Sequence, residues 1–203
     1  MTRVIAGEAG GRRLAVPAGS GTRPTSDRAR EGLFGTISSL AGPAVAGPAT
    51  GDLATAGSLA GHRVLDLYAG SGAVGLEALS RGAARVTLVE AAAPALRVIR
   101  ANIASLGLPG ADVVADRVER LVQNNPATPA YTVVFADPPY AMPDGEVAGV
   151  LTALRDHGWL APGALVVVER ATRSGPLTWP DGYVPDRVRR YGEATFWYGL
   201  AGT

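Results

Sequence analysis

The sequence predicts an α/β fold: a doubly wound, Rossmann-like sheet that is mostly parallel and ends in an antiparallel hairpin. Three observations carry this expectation. Short segments rich in Val, Leu and Ala alternate with helical segments from residue 63 onward, a glycine-rich turn joins the first of these strands to its helix, and the helical period disappears beyond Pro180. Nearly continuous apolar strands belong in a parallel sheet covered by helices on both faces.

At the front, residues 3–6 and 12–16 read as two short strands around the Gly-rich stretch 7–11, a small basic β-hairpin. Residues 17–24 are loop-like. Thr25-Ser26-Asp27 can cap a helix reaching residue 40, with Ala29, Leu33, Phe34 and Ile37 on one stripe. Residues 41–61 are rich in Ala, Gly and Pro and almost uncharged, which suits a flexible insertion. Strands are then expected at 63–67, 85–89, 112–115, 132–136 and 164–168, and helices at 73–80, 94–105, 117–123 and 145–157. Residues 187–191 and 194–200, around Gly192-Glu193, form the terminal antiparallel pair. The organisation is a basic N-terminal extension over 1–24 and one α/β domain over 25–203.

Composition narrows the function classes. With no cysteine and only His62 and His157, the chain has neither disulfides nor a zinc ligand set, and no metal is expected. No apolar run approaches the roughly 20 residues needed to span a bilayer, so no membrane association and a cytoplasmic location are expected. Net charge is only +1, but its distribution is uneven. Residues 1–30 carry Arg3, Arg12, Arg13, Arg23, Arg28 and Arg30 against Glu8 and Asp27, a local charge of +4, while the remainder carries −3. Basic residues are all Arg, which the general Ala, Gly and Pro enrichment attributes to composition bias.

Residues 64–75, Val-Leu-Asp-Leu-Tyr-Ala-Gly-Ser-Gly-Ala-Val-Gly, pass from strand through a glycine-rich turn into a helix. Glycines there let a ligand approach the backbone, and the helix N-terminus offers unpaired amides. Gly70, Gly72 and Gly75 also fit the dinucleotide pattern, with Glu90 ending the next strand where an acid can accept ribose hydroxyls. Those features alone suit either NAD or S-adenosylmethionine. Asp66, just before the turn, opposes a pyrophosphate but suits the ammonium of a methionine moiety. Asp116, after the third strand, can accept from an adenine amino group. Tyr68 in the turn and Arg117 beside Asp116 complete the candidate cofactor contacts. Asp66 and Asp116 can equally be caps of the following loops.

Asp137-Pro138-Pro139-Tyr140 closes a buried strand at the edge where open α/β sheets bind ligands. The amino group of a base is a poor nucleophile because its lone pair is delocalised. The Asp137 carboxylate and the Pro138 carbonyl can each accept one N–H and aim that lone pair at a methyl donor. Pro138 and Pro139 stiffen the loop and remove donors, and the Tyr140 ring can stack on an extruded base.

These residues resemble the amino-methyltransferases with an Asn/Asp-Pro-Pro-Tyr/Phe motif. With Arg3-Val4-Ile5-Ala6-Gly7, Gly11-Arg12-Arg13-Leu14, Arg23-Pro24-Thr25, Arg28 and Arg30-Glu31-Gly32-Leu33-Phe34 included, the chain resembles the RsmD-type family of bacterial 16S ribosomal RNA (guanine-N2)-methyltransferases over nearly its whole length. The resemblance implies a class I methyltransferase sheet, S-adenosylmethionine as methyl donor, and a guanine 2-amino group of small-subunit ribosomal RNA as acceptor, within a pre-30S assembly intermediate. It also implies that Asp66, Gly70, Gly72, Glu90 and Asp116 hold the cofactor, that Asp137 to Tyr140 are catalytic, and that the N-terminal arginines grip RNA phosphates. The rival readings are a DNA adenine or cytosine amino-methyltransferase, which 203 residues without a target-recognition domain disfavour, and a NAD-dependent oxidoreductase, which leaves Asp137 to Tyr140 without a task.

Overall fold

The computed structural model describes residues 2–17, 26–42, 59–127 and 130–202. Arg23, Thr25 and most of the 41–61 insertion lie outside the described residues.

The front of the chain pairs β1 (Thr2–Arg3) with β2 (Arg13–Leu14) in an antiparallel hairpin. Helix α1 (Asp27–Leu40) starts where Ser26 accepts the Ala29 N–H on its Oγ at 3.2 Å, satisfying one of the unpaired amides of the first turn. After it come β3 (Arg63–Leu67), α2 (Ala73–Ser80), β4 (Arg85–Glu90), α3 (Ala93–Leu106), β5 (Ala111–Ala115), α4 (Val118–Leu121), β6 (Tyr131–Ala136), α5 (Asp144–Asp156), β7 (Leu160–Ala171), β8 (Tyr183–Tyr191) and β9 (Ala194–Ala201).

The seven-stranded sheet has the order β5-β4-β3-β6-β7-β9-β8. Its first five strands are parallel, whereas β9 runs antiparallel to β7, and β8 to β9. Strand β3 pairs with both β4 and β6, so the order reverses there, which is where open α/β sheets open their ligand crevice. Several expectations were off in extent: the hairpin strands are two residues each, and β8 begins at Tyr183 instead of residue 187. The helix expected over 117–123 is the single turn α4, and β7 is twelve residues long because pairing with β6 and β9 carries it beyond its apolar middle.

Strand alternation splits the core into two layers. Val64, Val133, Phe135, Leu165 and Val167 pack with Leu33, Phe34 and Ile37 of α1, Leu76 of α2 and Ile99 of α3. Leu65, Leu67, Val134, Ala136, Val166 and Val168 pack with Val118, Val150, Leu151 and Leu154 of α4 and α5. Period-two alternation therefore sends Asp66 to the first layer, between Leu65 and Leu67.

The N-terminal hairpin is part of this core. Val4 and Leu14 are buried, Ile5 and Ala6 donate their amides to the Glu77 carboxylate at 2.6 and 3.0 Å, and Ala9 donates to Ser80 Oγ at 2.9 Å. Arg30 corrects an expectation: it was counted with the RNA-gripping arginines, yet it is 0% exposed. Its Nη2 donates to the Arg3 carbonyl at 2.7 Å and to Asp27 at 2.6 Å, and its Nη1 lies 3.8 Å from Glu77. Helical spacing explains the error, since Arg30 falls on the same stripe as Ala29, Leu33 and Phe34.

Candidate active site

The carboxyl ends of β3, β4, β5 and β6 meet on one edge, and the cleft there, about 390 Å³, is lined by Tyr68, Glu90, Asp116, Val118, Pro139 and Met142 among others.

The glycine turn forms one wall. Gly70 has φ +56°, and a Cβ there would meet nothing nearer than 4.0 Å, so its backbone faces open space. Gly75 does different work: a Cβ would lie 2.8 Å from Val86 and 2.9 Å from Leu88, so its absence lets α2 seat on the sheet. Tyr68 is the one non-glycine with positive φ, +60°, among the described residues, a conformation that costs roughly 1 kcal/mol or more. Its hydroxyl donates to Glu119 Oε1 at 2.9 Å and lies 3.7 Å from Met142 Sδ. Asn102 secures the turn from behind, donating from Nδ2 to the Ser71 carbonyl at 3.0 Å and to the Ala15 carbonyl at 3.0 Å.

Glu90 ends β4 with a heavily used carboxylate. Gly70 donates its amide to Oε2 at 2.8 Å, and Ala91 and Ala92 donate theirs to Oε1 at 2.8 Å. A carboxylate has about four acceptor positions, so roughly one remains for a ligand, fewer than the pair of ribose hydroxyls expected from the sequence. Asp116 bonds through Oδ1, to the Arg117 amide at 2.6 Å and to Arg120 at 2.7 Å; the Arg120 guanidinium is the main reason its pKa is lowered. Asp116 lines the cleft, and its Oδ2 makes no bond among the described residues. Arg117 is exposed and 3.4 Å from Glu119.

Asp66 is buried, and its Oδ2 accepts the Gly75 amide at 2.9 Å. It therefore braces the first turns of α2 from below. Burial pushes its pKa up to about 7, with the Gly75 bond opposing and the charges of Asp137 and Glu90 adding. An acid raised in the folded state and ordinary, near 4, in the unfolded chain stabilises the fold below that ordinary pKa and loses the contribution as pH rises toward 7. The melting temperature of the parent is expected to fall relative to that of Asp66→Asn between pH 5 and 7. Parallel pH curves for the two proteins would contradict this origin.

Asp137-Pro138-Pro139-Tyr140 follows β6. Asp137 donates its amide to the Leu67 carbonyl at 3.3 Å, tying the motif to the end of β3. Pro138 is buried, Asp137 is partly buried, and Tyr140 is 38% exposed. Desolvation raises the Asp137 carboxyl well above the usual carboxylate range, and the Arg170 guanidinium pulls it down. Arg170, on β7, escaped the sequence reading. It is 4% exposed, and its Nη2 donates to the Met142 carbonyl at 3.0 Å and to Asp144 at 2.8 Å, while Nε and Nη1 are buried without a partner. Glu169 and Arg170, two charges ending an otherwise apolar strand, were the signal that could have found it. Arg170→Met should raise the Asp137 pKa further and move the acid limb of the protein's pH–activity profile upward. An unmoved limb would limit Arg170 to holding the loop.

Arg3, Arg12, Arg13 and Arg28 are exposed. Arg3 pairs with Asp27 at 3.2 Å, and Arg12 donates to the Ser105 carbonyl.

The family model described as Conserved hypothetical protein 95 matches residues 2–199. Ribosomal RNA small subunit methyltransferase D of Escherichia coli K12 is 35% identical over 195 residues, 96% of this chain and 87% of that protein. The chain belongs to the methyltransferase D family. The Haemophilus influenzae methyltransferase D is 31% identical over 89% of this chain and 84% of its own length. Among solved structures, Escherichia coli yhhF superposes with a TM-score of 0.79 at 30% identity, covering 99% of this chain and 98% of that one. The precorrin-6y C5,15-methyltransferase of Geobacter metallireducens, at 14% identity, superposes with a TM-score of 0.62 over 94% of this chain and 95% of that one, a likeness of fold alone. The seven-stranded sheet of this methyltransferase D family member is the class I methyltransferase sheet.

Proposed function

We propose that this protein methylates the N2 amino group of a guanine in small-subunit ribosomal RNA, with S-adenosylmethionine as donor and a pre-30S assembly intermediate as substrate. The observation that carries the reading is the Asp137-to-Tyr140 loop, tied to the end of β3 beside the glycine turn, with a desolvated carboxyl and a half-exposed ring.

The cleft fits the donor. The open backbone at Gly70, the remaining acceptor capacity of Glu90 and the unused Asp116 Oδ2 suit the methionine, ribose and adenine portions in turn, with Tyr68 and Arg117 at the border. Asp66 serves from beneath, through Gly75. When bound, S-adenosylmethionine supplies an electrophilic methyl on a sulfonium. Asp137 and the Pro138 carbonyl accept the two amino hydrogens of the base, which pyramidalises the nitrogen and exposes its lone pair. Pro138 and Pro139 fix those acceptors, and the Tyr140 ring stacks on the extruded base. A partly desolvated Asp137 is well suited to carry the proton shed by the methylated nitrogen.

Residues 1–24 act as an RNA-gripping extension of the catalytic domain over 25–203, through Arg3, Arg12 and Arg13, joined by Arg28 from the first turn of α1. Arg23 belongs with them in this reading; Arg30 does not. The relatives' names, which specify small-subunit ribosomal RNA, support the choice of polymer. The test is incubation with labelled S-adenosylmethionine and small subunits from cells lacking the gene, with duplex DNA as competitor. Label in an N2-methylguanine is the expected result; label in DNA, or in no ribosomal fraction, sinks the reading.

A further inference from the structure

Strands β6 and β7 are parallel with Ala136 opposite Val168, so the next positions toward the sheet edge bring Asp137 level with Glu169. Both follow residues of the second layer, Ala136 and Val168, so alternation assigns both to the other face, with Asp66. Glu169 is 2% exposed. The Tyr140 hydroxyl registers this arrangement: its pKa is raised first by burial, then by the charges of Glu169, Asp137 and Glu193. A second carboxylate, which the mechanism above does not use, is thus level with the first across the β6–β7 pair, and both act on the same tyrosine.

The chemistry of the bases gives that pair a meaning. Guanine carries its 2-amino group beside N1–H, so two neighbouring positions donate. Adenine and cytosine carry their amino groups beside a bare ring nitrogen, which accepts. We propose that Glu169 restricts the site to guanine by accepting N1–H while Asp137 and the Pro138 carbonyl accept the amino hydrogens. The inference rests on the function proposed above and names the edge of the base that is read. Glu169 is already engaged within the protein, and a base donor shares or replaces that partner, as a carboxylate with about four acceptor positions allows. An acceptor withheld from water discriminates strongly, because a base without the matching N–H leaves the carboxylate facing a lone pair.

The test compares small subunits assembled with guanine or with 2-aminopurine at the mapped target position. 2-Aminopurine keeps the 2-amino group but has an accepting N1. The wild-type protein should prefer guanine by roughly 10²-fold in kcat/KM. Glu169→Gln, whose amide can donate to a bare N1, should shrink that preference at least tenfold; Glu169→Asp should keep it at reduced rate. A wild-type protein that methylates both substrates equally overturns the inference and needs no variant. Equal loss on both substrates in Glu169→Gln overturns it as well, since a purely structural role predicts that pattern. Absence of wild-type transfer to guanine is a different failure, that of the function reading itself.

Discussion

Asp137→Ala is expected to lower kcat for methyl transfer by about 10²- to 10³-fold, the usual effect of deleting one preorganised hydrogen-bond partner of a transition state, with S-adenosylmethionine affinity changed less than threefold. The residues proposed to hold the donor, Gly70, Glu90 and Asp116, make their hydrogen bonds to groups other than Asp137. Cofactor titration by calorimetry and single-turnover transfer separate the two effects. Stability should hold or rise, because the change removes a carboxyl that burial disfavours in its charged form. Asp137→Asn should sit between parent and alanine variant. Its carbonyl still accepts an N–H, but it carries no charge, so the acid limb of the pH profile disappears. Full turnover in Asp137→Ala, or loss of cofactor binding in parallel with turnover, would refute the assignment.

Glu77→Ala is expected to cost about 3–5 kcal/mol of stability, or roughly 6–20 °C in melting temperature for a domain of this size. Glu77 is fully buried and serves three parts of the chain: the Ile5 and Ala6 amides of the hairpin, Arg81 Nε at 2.7 Å, and Arg30 Nη1. Removing it leaves two amides and much of a buried guanidinium charge uncompensated. Residues 2–17 should become the first site of limited proteolysis. Glu77→Gln keeps an acceptor for one amide and should lose less. Thermal unfolding checks both, and a shift under 3 °C for Glu77→Ala would contradict the account.

The parallel sheet was legible because its strands are apolar without alternation and punctuated by glycine, so β3 and α2 fall where the pattern puts them. The placement of Asp137 to Tyr140 at the end of β6 was legible because an apolar strand runs directly into the tetrapeptide. What escaped was whatever depends on partners distant in sequence. Arg30 looked like a surface cation because its acceptors, the Arg3 carbonyl and Glu77, belong to other elements. Glu90 looked free for a ribose because its three amide donors are backbone groups that no residue letter announces. Arg170 and Glu169 were hidden in a strand read only for its apolar run, where a short window could not reveal that β6 and β7 lie side by side.

Helix α2 is eight residues long, a rod of roughly 12 Å, framed at its start by the glycine turn and clamped at Glu77 and Ser80 to the hairpin. Asn102 is a second strut, with one amide reaching both Ser71 and Ala15. The hairpin that bears Arg3, Arg12 and Arg13 is therefore a fixture and not a tether. Its offset from the sheet edge that carries Asp137 is set by the frame of the domain, so under the proposed function the span of RNA between phosphates held at the hairpin and the base to be modified is metered by rigid parts.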